Sequence, residues 1–260
     1  MIPINCAPLV PLRNMKGASD CHMCGRCNGH RDAIALSWRS PSEEVVQLGD
    51  KQANAWDTAL ILYGLLGIAI GAFHWTVSTW FVDLKQIFAT WLIDHDILWP
   101  LDTNAPWYLF THYPEQNDVF SWLDGGMVIG YIVVTGLVYG TVLLALVAGA
   151  TRMVGRFEWT RLHHLTQSLI PVAGCGVFLG LSATTVALLR AEHVPLWWVT
   201  DLRLGLLGIA NVWSAWLAWR VTARYTAQRI VPRAVAMLWF VAALAVVDSA
   251  WYLMFWGFSR

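Results

Sequence analysis

Five long apolar stretches, at about residues 58–82, 126–150, 165–189, 197–219 and 234–258, decide what this chain can fold into. Each is near the ~20 residues that a helix needs to cross a hydrocarbon core about 30 Å thick. Inside hydrocarbon a backbone must satisfy its own N–H and C=O groups, and a helix does so without help from neighbours. The sequence therefore predicts an all-α integral membrane protein with five transmembrane helices over residues 57–260, preceded by a short cysteine module over residues 1–56. Charge agrees with this class: 13% of the 260 residues are charged, against about 25% in soluble domains. The fourth stretch carries Asp201 and Arg203 near its start, as a mutually neutralising pair or as interfacial charges. Membrane lipid is the first partner implied, and nothing points to nucleic acid.

Lysine and arginine set the expected orientation, because basic loops stay in the cytoplasm. The first 56 residues, the 151–164 loop and the 220–233 loop together hold thirteen of them. The alternate segments hold four: Lys85, Arg190, Arg203 and Arg260. This predicts a multi-pass protein of a bacterial inner membrane with its cysteine module in the cytoplasm, where thiols stay reduced, and its C-terminus in the periplasm. No basic region followed by an apolar core opens the chain, so no signal peptide is expected.

Residues 1–56 are polar and read as irregular, with Pro3, Pro8, Pro11 and Pro41 as breakers. They contain Cys21-His22-Met23-Cys24-Gly25-Arg26-Cys27. Three cysteines at two-residue gaps let one tight loop hold three irons of a cubane iron–sulfur cluster. The usual bacterial run continues with three residues and then Cys-Pro; here that place is Arg31, followed by Asp32. Cys6, fifteen residues upstream of Cys21, stands where the last cysteine of a preceding run would stand and completes one [4Fe-4S] site with Cys21, Cys24 and Cys27. Other readings stay open: a Cys3His zinc site using His22 or His30, a disulfide pair, or free thiols. Too short to bury a core, the module must be held by the cluster and the membrane body. Cys175 stands alone in an apolar stretch and reads as a packing residue.

Ionisable residues inside spans are expensive and mark function by default. His74, His193 and Asp248, with Asp201 and Arg203, fall in or beside the outer half of the spans. The loop before the second span is acidic, with one lysine, and contains His95 and His112. Carboxylate and imidazole together suit iron, copper or zinc, so His74, His95, His112, His193 and Asp248 are candidates for an outer metal, proton or quinone site. The competing reading is a polar network that fixes helix register beneath a solvated acidic loop. His163 and His164, at the inner end of the third stretch, read as an interfacial pair that snorkels toward headgroups, with a haem ligand as the alternative. Gly67-xxx-Gly71, Gly136-xxx-Gly140 and Gly176-xxx-Gly180 read as close helix contacts.

Residues 5–12 and 16–27, Asn5-Cys6-Ala7-Pro8-Leu9-Val10-Pro11-Leu12 and Lys16-Gly17-Ala18-Ser19-Asp20 running into the cysteine run, resemble membrane polyferredoxins of the NapH type. More narrowly, the segment is similar to the iron–sulfur membrane component of bacterial Ftr-type iron uptake systems. The resemblance covers roughly the first 45 residues. It implies cytoplasmic [4Fe-4S] electron transfer serving a periplasmic event such as iron handling, with Cys21, Cys24 and Cys27 as the ligand triad and Cys6 as an upstream ligand. It also implies partner subunits of a membrane redox or iron-permease complex. Fuller members carry additional N-terminal spans and cysteine runs, and their second run ends in cysteine where this chain has Arg31, so the chain reads as a shortened, one-cluster member. A haem, flavin or quinone as second cofactor is not evident. The rival function classes are a membrane assembly or binding protein with a structural metal, and a quinone-linked metal reductase.

Overall fold

The computed structural model describes residues 24, 27–29, 40–116, 118–226 and 229–257. Helix α1 (Pro41–Gln52) begins with proline at a position where its missing N–H costs nothing, and Glu43 and Glu44 in the first turn complement the helix dipole. This corrects the irregular reading of residues 1–56: their last part is helical. Helix α2 (Ala55–His74) starts at a reciprocal capping box. The Asn54 side chain accepts from the Trp56 and Asp57 amides, and the Asp57 carboxylate accepts from the Asn54 amide. From Leu60 to Ile68 it is wound as a π-helix.

The first apolar stretch was expected to run to residue 82, but α2 stops at His74. The Val77 and Ser78 amides fold back onto the His74 carbonyl, and Ser78 caps a new helix, α3 (Thr79–Asp94), by accepting from the Phe81 amide. A two-stranded hairpin, β1 (His112–Tyr113) with β2 (Asp118–Val119), precedes α4 (Trp122–Val154). A second capping box, Ser121 with Asp124, opens α4. Lys85 Nζ donates to Asp124 Oδ1 at 3.0 Å and so ties α3 to that start.

Helix α5 (Trp159–Ala191) contains a 3₁₀ turn at Gln167–Leu169, just before Pro171, whose ring cannot follow a regular α turn. Helices α6 (Val199–Tyr225) and α7 (Ile230–Gly257) complete the bundle. Among the described residues, α2, α4, α5 and α7 are long and apolar enough to cross a membrane. Helix α6 covers nearly all of the expected fourth stretch and, at 27 residues, falls within the 20 to 33 residues of the others. It is less apolar because Asp201 and Arg203 sit near one end and Arg220 and Arg224 near the other.

Helix α4 lies at the centre, packed most extensively against α7 on one side and α2 on the other. The innermost side chains are Leu62, Leu66 and Ile70 of α2, Leu143 and Val147 of α4, and Phe240 and Val247 of α7. Between α2 and α4 the contact is backbone on backbone. A Cβ placed on Gly67 would stand 2.5 Å from the Gly136 carbonyl oxygen, and Gly140 leaves room for the Tyr63 ring. On α5, Gly176 and Gly180 admit Trp251 and Phe73. All three glycine pairs are therefore contact surfaces.

Gly67→Ala should push α2 off α4 at a cost of about 1–3 kcal/mol, the range for overpacking. Gly130→Ala, where nothing lies within 4 Å, should be neutral. Thermal unfolding of the two variants in detergent checks this, and equal midpoints would contradict the packing.

Candidate functional site

Connectivity places α1 and the α4–α5 and α6–α7 turns at one end of the bundle, with Arg152, Arg156, Arg161, Arg220, Arg224, Arg229 and Arg233 around them. We call this the basic end. Here α1 is fastened across the ends of α5 and α6 by side chains that reach its own backbone and first turn. His164 Nε2 lies 2.8 Å from the Val45 carbonyl, and Nδ1 lies 2.6 Å from the Tyr225 hydroxyl. A carbonyl only accepts, so Nε2 carries the proton and Nδ1 accepts from the tyrosine. Arg224 donates to the Val46 carbonyl, Arg220 pairs with Glu43 at 3.1 Å, and the Trp213 indole donates to Ser42 Oγ.

His164 is fully buried. The expectation that both histidines snorkel into headgroups is therefore corrected for His164, because α1 closes over it. His163 instead binds Thr58 of α2 through Nδ1 at 2.8 Å. Sequence reasoning passed over Ser42, Glu43, Tyr225, Arg220 and Arg224. Its available signal was the i, i+4 pair Arg220 and Arg224, two cations on one helical face that a partner helix with acidic first turn would meet.

Upstream of α1, Cys24 is exposed and Cys27 half-buried, both as free thiols. Cys27 to Gly29 form a turn, with Gly29 at φ +72°. Cys27 on this turn and the exposed Cys24 before it are not tied up in a disulfide, and thiols are the donor type that an iron–sulfur cluster takes. Cys6 and Cys21, and also His22, His30 and Arg31, lie outside the described residues.

At the opposite end the expected outer candidates do not assemble. Among the described residues no group of three or more His, Cys, Asp or Glu could hold a metal ion. His74 is buried and its Nε2 donates to the Ala250 carbonyl at 2.6 Å. His95 caps α3, stacked on Trp91 with Nδ1 against the Trp91 carbonyl. His112 pairs with Val119 in the hairpin, exposed. His193 sits just past α5 with φ +60°, a left-handed residue that ends the helix. Asp248 accepts from Asn211 Nδ2 at 2.9 Å. Each is used locally, in a cap, a pair or a helix contact.

His164→Ala leaves the Val45 carbonyl and the Tyr225 hydroxyl without this partner, a loss of roughly 1–3 kcal/mol. Deuterium uptake over residues 41–52 should then rise about tenfold or more, while the amides of α4 stay protected. Unchanged uptake in α1 would show that the histidine does not fasten it.

In comparisons with known proteins, no family model, no curated protein and no solved structure matches this chain.

Proposed function

We propose that the chain is a membrane-bound iron–sulfur electron-transfer protein of a bacterial inner membrane, serving a periplasmic metal uptake or redox system, with iron as the metal. One observation carries the reading: the CxxCxxC run lies on a segment whose continuation, α1, is fastened to the basic end of a membrane bundle. Cys21, Cys24 and Cys27, with Cys6 as fourth ligand, would hold a [4Fe-4S] cluster, which when bound supplies storage of one electron at a time. The chain's own contribution is to hold these thiolates close to one face. Ser42, Glu43 and the Val45 and Val46 carbonyls fix α1, and α1 limits where the cysteine segment can go.

Five crossings belong to the same proposal. Helix α6 exposes Ile209 and Val212 outward, as lipid-facing positions of the neighbouring helices expose Val134, Leu181 and Leu238, and its polar residues face α5 and α7 or lie at its ends. The basic residues gathered at one end support a cytoplasmic location for it. The described spans carry no second group of thiolates, because Cys175 is their one cysteine. Passage across about 30 Å of hydrocarbon is accordingly assigned to a partner subunit or a mobile carrier.

Protein purified without oxygen should be brown and, after reduction, give the paramagnetic resonance signal of a reduced cluster. A colourless protein containing zinc would overturn the reading in favour of a structural metal. Cys6→Ser should lower iron content and visible absorbance about as much as Cys24→Ser; full retention of four irons in the Cys6 variant would remove Cys6 from the ligand set. For the topology, a reporter inserted at Gly155 should be active only as a cytoplasmic fusion and one after Arg260 only as a periplasmic fusion. The same compartment for both would leave α6 outside the membrane.

A further inference from the structure

Four buried side-chain atoms without a hydrogen-bond partner fall between α5, α6 and α7, in the half away from the basic end or at its midpoint: Nε and Nη2 of Arg203, Oδ1 of Asn211 and Nε1 of Trp251. Trp251 is 1% exposed. Such atoms are costly, more so on a charged group, unless water meets them.

Their order along the helices is fixed by contacts. Asn211 of α6 bonds Asp248 of antiparallel α7, and the Arg203 guanidinium lies 4.2 Å from the centre of the Phe255 ring. These two contacts are about 12 Å apart, at 1.5 Å per residue over eight residues of α6. Trp251 lies between them on α7, its indole pressed against Gly176 of α5, where a Cβ would come within 2.7 Å of Nε1.

We propose that this interface is a hydrated seam: a file of ordered waters joins Asp248 to the end of the bundle at Arg203, and Asp248 takes up and releases a proton through it. A buried water needs two to four polar partners. The two Arg203 N–H groups, the Trp251 N–H, Asn211 Oδ1 and the remaining lone pairs of Asp248 provide them in sequence. In the transfer a hydronium ion gives its proton to the Asp248 carboxylate and becomes water, leaving a neutral carboxylic acid.

The surroundings suit two charge states. Arg203 keeps its charge at every pH, so protonation of Asp248 adds one positive charge to the seam. From α5, Cys175 lies within electrostatic reach of Asp248, and Arg190 within reach of Arg203. From α2, His74 bonds the Ala250 carbonyl two residues on. Helix α4, on the other side of α7, carries between Asp124 and Arg152 only the tyrosines Tyr131 and Tyr139 as ionisable groups. On α6, Asp201 is exposed near the Arg203 end, and among the described residues Asp248 is the carboxylate hydrogen-bonded between α6 and α7; the inference stands on α5–α7 alone, independent of the cysteine module.

The test is infrared difference spectroscopy of the full chain in liposomes as the buffer is stepped from alkaline to acidic. A carboxylic C=O band should appear, shift down within the mixing time in heavy water, vanish in Asp248→Asn and move in Asp248→Glu. No band, a band that survives in Asp248→Asn, or one that exchanges only on unfolding overturns the proposal. Should the asparagine variant fail to fold, dicyclohexylcarbodiimide, which attacks protonated carboxyls in apolar surroundings, decides on the unaltered protein. An adduct on the Asp248 peptide that falls about tenfold per pH unit in the alkaline limb supports the proton site. Labelling that ignores pH, or none, overturns it.

Discussion

Between helices in a bilayer there is no hydrophobic drive, since lipid tails are as apolar as leucine; association depends on close van der Waals contact. In this chain that condition is met most directly where Gly67 of α2 faces Gly136 of α4 with no side chain between them. The rest of the bundle follows from α4 being held so near. Gly140 can then receive Tyr63, and on the far side Gly149 receives Trp239 of α7. Trp251 of the same helix fills the space over Gly176 of α5 and touches Phe73, which itself fits over Gly180. Large aromatics seated on small residues close the ring α2–α4–α7–α5, and α6 then packs along α5 and α7.

Polar contacts do what packing cannot at the basic end. A helix of 12 residues is marginal by itself in water, so α1 owes its place to His164, Arg220, Arg224 and Trp213. Two of these bond backbone carbonyls of α1, which gives the attachment a defined height along the helix and not only a charge attraction. The attachment ties α1 to α5 and α6 through four side chains.

Hydropathy made the four apolar crossings legible because bilayer thickness is a severe filter on length, and the observed helices Trp122–Val154, Trp159–Ala191 and Ile230–Gly257 enclose or nearly enclose the expected stretches. It misjudged the end of α2 because Trp75, Val77, Phe81 and Val82 continue the apolar character past His74 and across Ser78, which caps a new helix. Hydropathy has no term for a side-chain cap. His164 was misjudged for a related reason: residues 41–52 are polar in composition, and only tertiary structure reveals that their backbone becomes its partner. The outer candidates were grouped because topology put them at one end, yet sharing an end is a weak constraint. His95 and His112 are occupied by a cap and a hairpin, while Asp248 faces Asn211 deeper in. What the sequence carried of the cysteine site was its chemistry, three thiols at fixed spacing, and that information is independent of fold.

The two halves of the bundle treat buried polarity differently, and the difference separates structural from exchangeable roles. Among the described residues of the half nearer the basic end, the unpartnered atoms are Ser168 Oγ and Arg161 Nε. Beside it lies a cavity of about 10 Å³ lined by Thr151, Thr222 and Tyr225 as well as Arg161, enough for one water. In the other half the unpartnered atoms of Arg203, Trp251 and Asn211 follow one another along α6 and α7, and the Asp248 carboxylate at the far end of the series accepts from Asn211. Waters there have neighbours to exchange with. An ion pair buried dry would cost several kcal/mol per charge, whereas a solvated Arg203–Asp248 couple lets the charge of the half-bundle change by one without moving a helix.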